Sequence, residues 1–389
     1  MRVLITSTPV ATHFLPMLPL IRALGAAGHE VLVAGQPDVT GPAREAGLET
    51  ATFGDAFHAV DLRRGRLPEG VRPIEVLGRP PAQQIDGAAQ MWRNHAPYFL
   101  YDYLELAREW RADLILSEHM EYAGPVIGKV LGVPSVWHRW GTAPTSEFML
   151  GQTRMWLGPL CERLGLDSVP APDLVLDPAP PALAGTDAPD ALPVRPVPHT
   201  GDGSPWRWSG PSGRRVVVAL GGYALELGGA ALVRRIADAL GAVGGVEAVV
   251  SAPETYRAAI GALPAGLTYT GRTAPGLLFP GADLVIHHGG PGSTLGAAAL
   301  GVPQLVLPQL GDAFVAGDRV AAAGAGITLD SAAAQNSDRE LGRAVTALLT
   351  GDAYRKAAGR VRAQIEAMPG AEVLVPLLAG LTTAQEVTA

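Results

Sequence analysis

The chain has 389 residues, 48% of them hydrophobic, and a formal net charge of −7 from 30 Lys and Arg against 37 Asp and Glu. A chain this long and apolar can bury more than one core, which excludes global disorder and suggests two or three domains. Mild acidity without a basic block argues against a nucleic-acid partner. The single cysteine, Cys161, excludes an intramolecular disulfide and a cysteine-based metal cage, and is typical of a reducing cytosol.

The apolar stretches of the chain, including the N-terminal run, are too short to span a membrane. Each is broken by Pro, Gly or a charge before about 18 residues, so no membrane span is predicted. Polar residues from Thr6 to Thr8 and Pro9 interrupt the N-terminal run, which argues against a signal peptide. We therefore expect a cytoplasmic protein.

The first half of the chain alternates short apolar runs with stretches of helical spacing. This strand-helix-strand order is typical of a parallel sheet with buried strands. Strands are predicted at Arg2–Thr6, His29–Ala34, Asp113–Ser117 and Val133–Trp137, with helices at Met17–Ala27 and Tyr122–Leu131 and a loop at Ser7–Pro16.

Two stretches of the first half are less regular. Phe53–Ile85 is a less regular stretch that carries His58 and several arginines among Pro and Gly. Ala88–Trp110 has helical spacing, is rich in aromatic residues and is expected to kink or break at Pro97. These aromatic side chains pack in a core or form an apolar pocket wall, and the sequence leaves both readings open.

Prolines crowd Pro170–Pro198, where no helix can run. The alternation then restarts, with strands predicted at Arg215–Leu220, Val246–Val250, Leu284–His287 and Gln304–Pro308, and helices at Ala230–Val243, Asp338–Leu349 and Asp352–Met368. The fold class is thus α/β, with two Rossmann-like domains at 1–200 and 206–389, a proline-rich linker at about 170–205, and a last helix that can pack back on the first domain. Two such halves face each other across a cleft, where ligands bind.

The strongest chemical signal is His287-His288-Gly289-Gly290-Pro291-Gly292-Ser293-Thr294, which follows a predicted strand and opens a helix. Glycines let a ligand approach the backbone, and the helix N-terminus offers free N–H groups and positive potential. His288 and the two hydroxyls add donors, so the turn suits a pyrophosphate. Rossmann dehydrogenases also carry a glycine-rich turn, but after the first strand of the chain, where this sequence has no glycine pattern.

The block continues with Gly301-Val302-Pro303 and Gln309-Leu-Gly-Asp312. The whole block resembles the donor-binding signature of family 1 glycosyltransferases, which have the GT-B fold. It is most similar to the actinobacterial enzymes that attach deoxysugars to polyketide antibiotics.

This resemblance implies a donor site for a nucleoside diphosphate sugar as co-substrate, with no further cofactor and no metal. Ala313 stands where many members have Gln, which favours a deoxygenated sugar, in particular a dTDP-deoxysugar. The implied donor-binding residues are Gly221, Arg272, Thr273, His288, Gly289, Gly290, Gly292, Ser293, Thr294 and Asp312.

His13 follows the first predicted strand and matches the general base of the family, although Thr12 replaces the usual Gly. Imidazole titrates near neutrality and can take the proton of an acceptor hydroxyl. Glu118 matches the acid that orients the base, by accepting the other ring N–H of His13. Phe14, Trp92 and Trp140 are implied on the acceptor side; for Trp140, packing in the core is an equal reading.

The resemblance therefore predicts an inverting hexosyltransferase that moves a deoxysugar to a polyketide or other natural-product aglycone, through oxygen or carbon. Two other functions stay open: a non-catalytic sugar-nucleotide binder or activator of another enzyme, and a GT-B epimerase acting on the donor itself. The sequence does not decide between a monomer and a homodimer, or whether an auxiliary protein is needed.

Overall fold

The computed structural model describes residues 1–81, 90–185, 190–209 and 214–386. Its strands form two all-parallel sheets, one in each half of the chain. The seven-stranded first sheet has the order β3-β2-β1-β4-β5-β6-β7, made of β1 Arg2–Thr6, β2 Glu30–Gly35, β3 Thr50–Thr52, β4 Leu114–Glu118, β5 Ser135–His138, β6 Leu174–Asp177 and β7 Leu192–Pro193. The six-stranded second sheet has the order β10-β9-β8-β11-β12-β13, made of β8 Arg214–Ala219, β9 Val246–Ser251, β10 Leu267–Thr270, β11 Leu284–His287, β12 Gln304–Val306 and β13 Gly326–Thr328.

Helices connect the strands on both faces of each sheet. In the first half they are α1 Ala11–Phe14, α2 Leu18–Ala26, α3 Pro37–Glu45, α4 Asp61–Arg64, α5 Pro73–Leu77, α6 Gln90–Glu109, α7 Ala123–Leu131 and α8 Glu147–Arg163, with a 3₁₀ turn at Leu15–Met17. In the second half they are α9 Gly221–Ala224, α10 Ala230–Val243, α11 Arg257–Ile260, α12 Pro275–Leu278, α13 Pro291–Ala299, α14 Asp312–Ala322, α15 Ala332–Gln335, α16 Asp338–Thr350, α17 Asp352–Ala367 and α18 Ala371–Glu386. A distorted helical turn at Leu225–Gly229 and a 3₁₀ turn at Glu254–Tyr256 complete the set.

The predicted α/β class with two Rossmann-like halves is confirmed, and three local expectations are wrong. The expected loop at Ser7–Pro16 contains α1, and α6 continues as one helix through Pro97. Burial of a full helical face, including Leu100 and Tyr103, outweighs the hydrogen bond that the proline removes. The proline-rich stretch contains β6, which has no proline, and β7, whose Pro193 is tolerated because β7 is the edge strand. The expected start of α6 at Ala88 lies outside the described residues.

The last helix, α18, belongs to the core of the first half. Its residues Leu374 and Leu378 pack in one buried cluster with Leu20 and Leu24 of α2. Within the described ranges no single helix is long and apolar enough to cross a membrane; only the pair Asp352–Ala367 and Ala371–Thr383, bent by 41°, reaches that length and hydropathy together.

The chain therefore crosses between the two halves twice, and Arg195 joins the crossings. Its backbone N–H donates to Pro369 O at 2.8 Å, and its guanidinium donates to the backbone oxygens of Met368 and Glu366 at 3.0 and 2.9 Å. The segment leaving the first half is thus fixed against the segment that returns to it.

A second connection comes from the irregular segment before α6. Arg72 is 3% exposed and donates to Gln335 Oε1 and Asn336 Oδ1 of the second half, at 2.6 Å each, and to Glu75 of its own half. Burial lowers the pKa of Arg72, and the hydrogen bond and charge of Glu75 oppose this. The guanidinium therefore ties the two halves together on one side of the cleft.

We expect Arg72→Ala to lower the free energy of unfolding by about 2–3 kcal/mol, because Asn336 and the partly buried Glu75 lose a charged donor. Arg64→Ala is the matched control, since its ion pairs with Asp61 and Glu226 are exposed and contribute less than about 1 kcal/mol. Urea unfolding of both variants measures the difference. Equal losses in the two variants would contradict a specific role for the buried guanidinium.

Candidate active site

His13 lies in α1, just beyond the carboxyl end of β1, and its side chain is 13% exposed. The ring stacks on Trp140, with centroids 4.4 Å apart and planes 16° apart, and meets the edge of Trp92 at 5.6 Å. Its Nδ1 lies 2.7 Å from Thr8 Oγ1 and 3.8 Å from Glu118 Oε1. The two indole rings and the hydrogen bond to Thr8 therefore fix the position of the imidazole.

Glu118 ends β4 and is completely buried. Its Oε1 accepts from the backbone N–H and hydroxyl of Thr8, at 3.3 and 2.6 Å. Its Oε2 accepts from the Met120 backbone N–H and the Trp140 indole N–H, at 2.7 and 2.9 Å. Burial alone would raise the pKa of Glu118, but the nearby His13 and His119 and the hydrogen bond from the Thr8 hydroxyl lower it to about 2. The expected partnership with His13 thus runs through Thr8 rather than through one short hydrogen bond.

The aromatic residues of α6 divide between the two readings that the sequence left open. Trp92 contacts His13 and Phe57, whereas Tyr103 is buried in the core and Tyr98 is 78% exposed. Trp92, Phe57 and Trp140 therefore form the wall beside the imidazole. The expectation for Phe14 is wrong, because its side chain points away from this wall and is fully buried among the core residues of β1 and α2.

The glycine-rich turn joins β11 to α13, as the sequence predicts. Gly289 has φ +91°, and a Cβ there would lie 2.7 Å from Ala313 O. A Cβ at Gly290 would lie 2.6 Å from His288 Nε2. Around Gly292 no atom lies within 4 Å of a Cβ position, so open space faces the first turn of α13. The free N–H groups of that turn and the helix dipole make this space suited to an anion.

His288 lies against this turn and against α9. A Cβ at Gly221 would lie 2.8 Å from His288 Cε1, which places Gly221 and His288 in direct contact. Burial lowers the pKa of His288 to about 4, and a backbone hydrogen bond with Leu220 opposes this only in part. The ring is therefore neutral at pH 7 and its single N–H is used by the Leu220 backbone, so donation to a ligand requires the tautomer with the hydrogen on the other ring nitrogen. Among the described residues, none lies within hydrogen-bonding distance of Nδ1.

The other predicted donor residues differ in how close they lie to the glycine-rich turn and in how exposed they are. Asp312 begins α14, beside the Ala313 that touches Gly289. Thr294 is fully buried and its hydroxyl donates to Gly290 O at 3.0 Å, so the expectation that it presents a hydroxyl to the ligand is wrong. Ser293 stays in the first turn of α13. Arg272 and Thr273 follow β10 at the edge of the second sheet, three strand positions from β11, where Thr273 donates to Gly271 O.

The two groups of residues meet across the cleft. A Cβ at Gly141 would lie 2.8 Å from Pro291 Cβ, the first residue of α13. Gly141 directly follows Trp140, the residue that stacks on His13. The loop that carries Trp140, on which the His13 ring stacks, therefore lies against the N-terminal end of α13.

Sequence reasoning missed Thr8 and Phe57. The signal for Thr8 was its position two residues past the end of β1. Strand β4 pairs with β1, with Thr6 opposite Ser117, and ends at Glu118, so Thr8 and Glu118 lie at the same edge of the sheet. Using that signal required the strand order, which the sequence alone does not supply. Phe57 lies in the irregular segment, where no periodicity indicates which side faces the cleft.

Comparison with known proteins decides the family. Residues 22–221 match the family model described as Erythromycin biosynthesis protein CIII-like, N-terminal domain, and residues 234–381 match its C-terminal counterpart. The chain belongs to this family. It is a glycosyltransferase, as the resemblance predicted.

Full-length relatives support this membership. The L-demethylnoviosyl transferase of Streptomyces niveus is 35% identical over 368 residues, which cover 92% of each chain. The 10-deoxymethynolide desosaminyltransferase of Streptomyces venezuelae is 30% identical, covering 97% of this chain and 96% of the relative. The structure of spinosyn rhamnosyltransferase SpnG complexed with thymidine diphosphate is 35% identical and superposes with a TM-score of 0.86 over 97% of this chain and 100% of that one. The predicted GT-B fold is thereby confirmed.

Glu121 of this glycosyltransferase gives a pH test of the buried region next to the site. Its Oε1 accepts from Ala123 N–H at 3.1 Å, its Oε2 has no partner in the described part of the chain, and burial raises its pKa from 4.5 to about 8. The unfolded chain loses this proton first, so the folded state is destabilised as pH rises from 4.5 to 8, by up to about 1.4 kcal/mol per pH unit.

We expect Glu121→Gln to remove that part of the pH dependence, so its stability relative to the unmodified enzyme improves from pH 5 to pH 8.5. Urea unfolding at several pH values measures the slope. Glu105→Gln, on the exposed side of α6, is the control and leaves the slope unchanged. Parallel curves for the unmodified enzyme and Glu121→Gln would show that the carboxyl is ionised in the folded state.

Proposed function

We propose that this glycosyltransferase moves a deoxysugar from a dTDP-linked donor to a hydroxyl of a polyketide or related natural product, with inversion at the anomeric carbon. One contact supports this assignment above all: Gly141 against Pro291, which brings the His13 loop to the anion-binding end of α13. The relatives agree with it, since they include a demethylnoviosyl and a desosaminyl transferase, and SpnG has been observed with thymidine diphosphate and with spinosyn aglycone.

The second half of the chain would bind the donor diphosphate. The N–H groups of Gly292 and Ser293 in the first turn of α13, with the neutral His288, supply donors where negative charge grows as the diphosphate leaves. Each such preorganised donor lowers the barrier by about 3 kcal/mol. Asp312, beside the turn, would accept from sugar hydroxyls.

The first half would hold the acceptor beside Trp92, Phe57 and Trp140. His13 takes the proton of the acceptor hydroxyl as its oxygen attacks the anomeric carbon, and the bond from that carbon to the diphosphate oxygen breaks with its electron pair. Attack from the face opposite the diphosphate inverts the anomeric centre. The imidazolium formed lies 3.8 Å from the ionised Glu118, which stabilises it.

Incubation with dTDP-deoxysugars and a panel of polyketide aglycones, followed by mass spectrometry, tests the proposal. A product heavier by one sugar residue, with dTDP released, is expected. Acid hydrolysis then separates oxygen from carbon linkage, since a C-glycoside survives. Donor that is bound but never transferred would favour an activator, and an isomerised sugar from donor alone would favour an epimerase.

The two histidines should separate binding from proton transfer. We expect His13→Ala to lower kcat by at least about 10²-fold while dTDP affinity is unchanged. His288→Ala should weaken dTDP binding by about tenfold, because one hydrogen bond to the diphosphate is lost. Calorimetric titration with dTDP and initial rates measure both effects. If His13→Ala loses dTDP affinity as much as His288→Ala does, the assignment of His13 to the acceptor side is wrong.

Gly290 gives a steric test of the turn. We expect Gly290→Ala to weaken dTDP binding at least tenfold, because its Cβ would displace the His288 ring from 2.6 Å. Gly342→Ala is the matched control in α16, where no atom lies within 4 Å of the new Cβ. The control should keep full dTDP affinity and gain up to about 1 kcal/mol of stability from helix propensity. Unchanged dTDP affinity in Gly290→Ala would place the nucleotide elsewhere.

A further inference from the structure

Thr8 occupies the gap between the two groups that the mechanism uses for proton transfer. It is completely buried, two residues beyond the end of β1. Its hydroxyl oxygen lies 2.7 Å from His13 Nδ1 and 2.6 Å from Glu118 Oε1. Both distances are those of good hydrogen bonds.

The direction of these two bonds follows from the proton count. Glu118 is ionised and can only accept, so the 2.6 Å contact between two oxygens requires the Thr8 hydrogen to point at Glu118. Thr8 then faces His13 with a lone pair. The 2.7 Å contact therefore requires a hydrogen on His13 Nδ1.

We propose that Thr8 is a positioning residue that fixes His13 as the Nδ1–H tautomer and leaves Nε2 as the bare base atom. The inference rests on the proposed function of His13. Neutral imidazole carries a single N–H, so a hydrogen on Nδ1 leaves a lone pair on Nε2. Stacking on Trp140 restrains the ring plane, and the bond to Thr8 selects the edge that faces Glu118.

The same chain of bonds suits the reaction. As the acceptor O–H bond breaks and the Nε2–H bond forms, the positive charge on the ring strengthens the bonds from Nδ1–H to Thr8 and from Thr8 to Glu118. No hydroxyl has to rotate during the transfer. The diphosphate carries away the electron pair of the broken glycosyl bond, so the step balances without another reactant.

Histidine tautomers are observed directly by NMR of ¹⁵N-histidine-labelled enzyme, with His13 assigned from the spectrum of His13→Gln. In the unmodified enzyme we expect Nδ1 with the shift of a protonated nitrogen and Nε2 with that of a bare one. This measurement needs neither substrate nor turnover, so it tests the tautomer even if no sugar transfer is found.

Kinetics of three variants test the effect on the reaction. Thr8→Val keeps the shape and the backbone N–H bond to Glu118 but removes the hydroxyl; we expect kcat to fall at least about tenfold, with the KM of donor and acceptor within about twofold. Thr8→Ser keeps the hydroxyl and should restore kcat. Thr6→Val is the matched control, since Thr6 is equally buried and its hydroxyl has no partner among the described residues.

A hydrogen on Nε2 of His13 in the unmodified enzyme would overturn the proposal, and so would unchanged kcat in Thr8→Val. If Thr8→Val does not fold, the tautomer in the unmodified enzyme and the rate of Thr8→Ser decide. If no variant or unmodified enzyme transfers sugar while the Nδ1–H tautomer is observed, the proposed function fails and the role of Thr8 in fixing the tautomer stands.

Discussion

A buried negative charge is the constraint on which the arrangement of residues around His13 depends. A carboxylate without water is unfavourable unless hydrogen bonds replace its hydration. Glu118 receives four such bonds, from Thr8, Met120 and Trp140, which belong to three separate loops at the carboxyl edge of the first sheet. These loops are therefore held in one arrangement, and His13 lies where the arrangement leaves room for a ring. The charge that fixes the loops would also stabilise the protonated His13 ring in the proposed reaction.

The start of α13, the proposed donor site, has the opposite electrostatic character, with positive potential in place of a buried negative charge. Main-chain N–H groups and the helix dipole supply donors and positive potential at the start of α13, beside the neutral His288. In the proposed reaction, transfer of the sugar would create positive charge at His13 and negative charge at the leaving diphosphate. The two halves offer the matching sign at each place, and Gly141 against Pro291 keeps the places close together.

Local sequence patterns predicted most of the scaffold, because apolar runs and glycines act over a few residues; the strands Arg2–Thr6 and Leu284–His287 were placed to the residue. Errors arose where packing overrides local preference, as at Pro97. In the site, His13 and Glu118 were predicted from the family resemblance, which matches them to residues at the ends of two predicted strands. Thr8 was not, since its importance depends on which strands are neighbours, and Phe14 and Thr294 were misplaced because the sequence does not show which way a side chain turns.

The double crossing of the chain has a consequence for how the cleft can open. Because α18 completes the core of the first half, the second half is topologically an insertion into the first, with both of its ends leaving from one place. Arg195 binds those two ends to each other through three hydrogen bonds, so the ends stay side by side when the halves move relative to each other. A rotation about that place that widens the cleft would break the bonds of Arg72 to Gln335 and Asn336. Substrates would then enter, and products leave, at the side of the cleft that lies farthest from the two crossings.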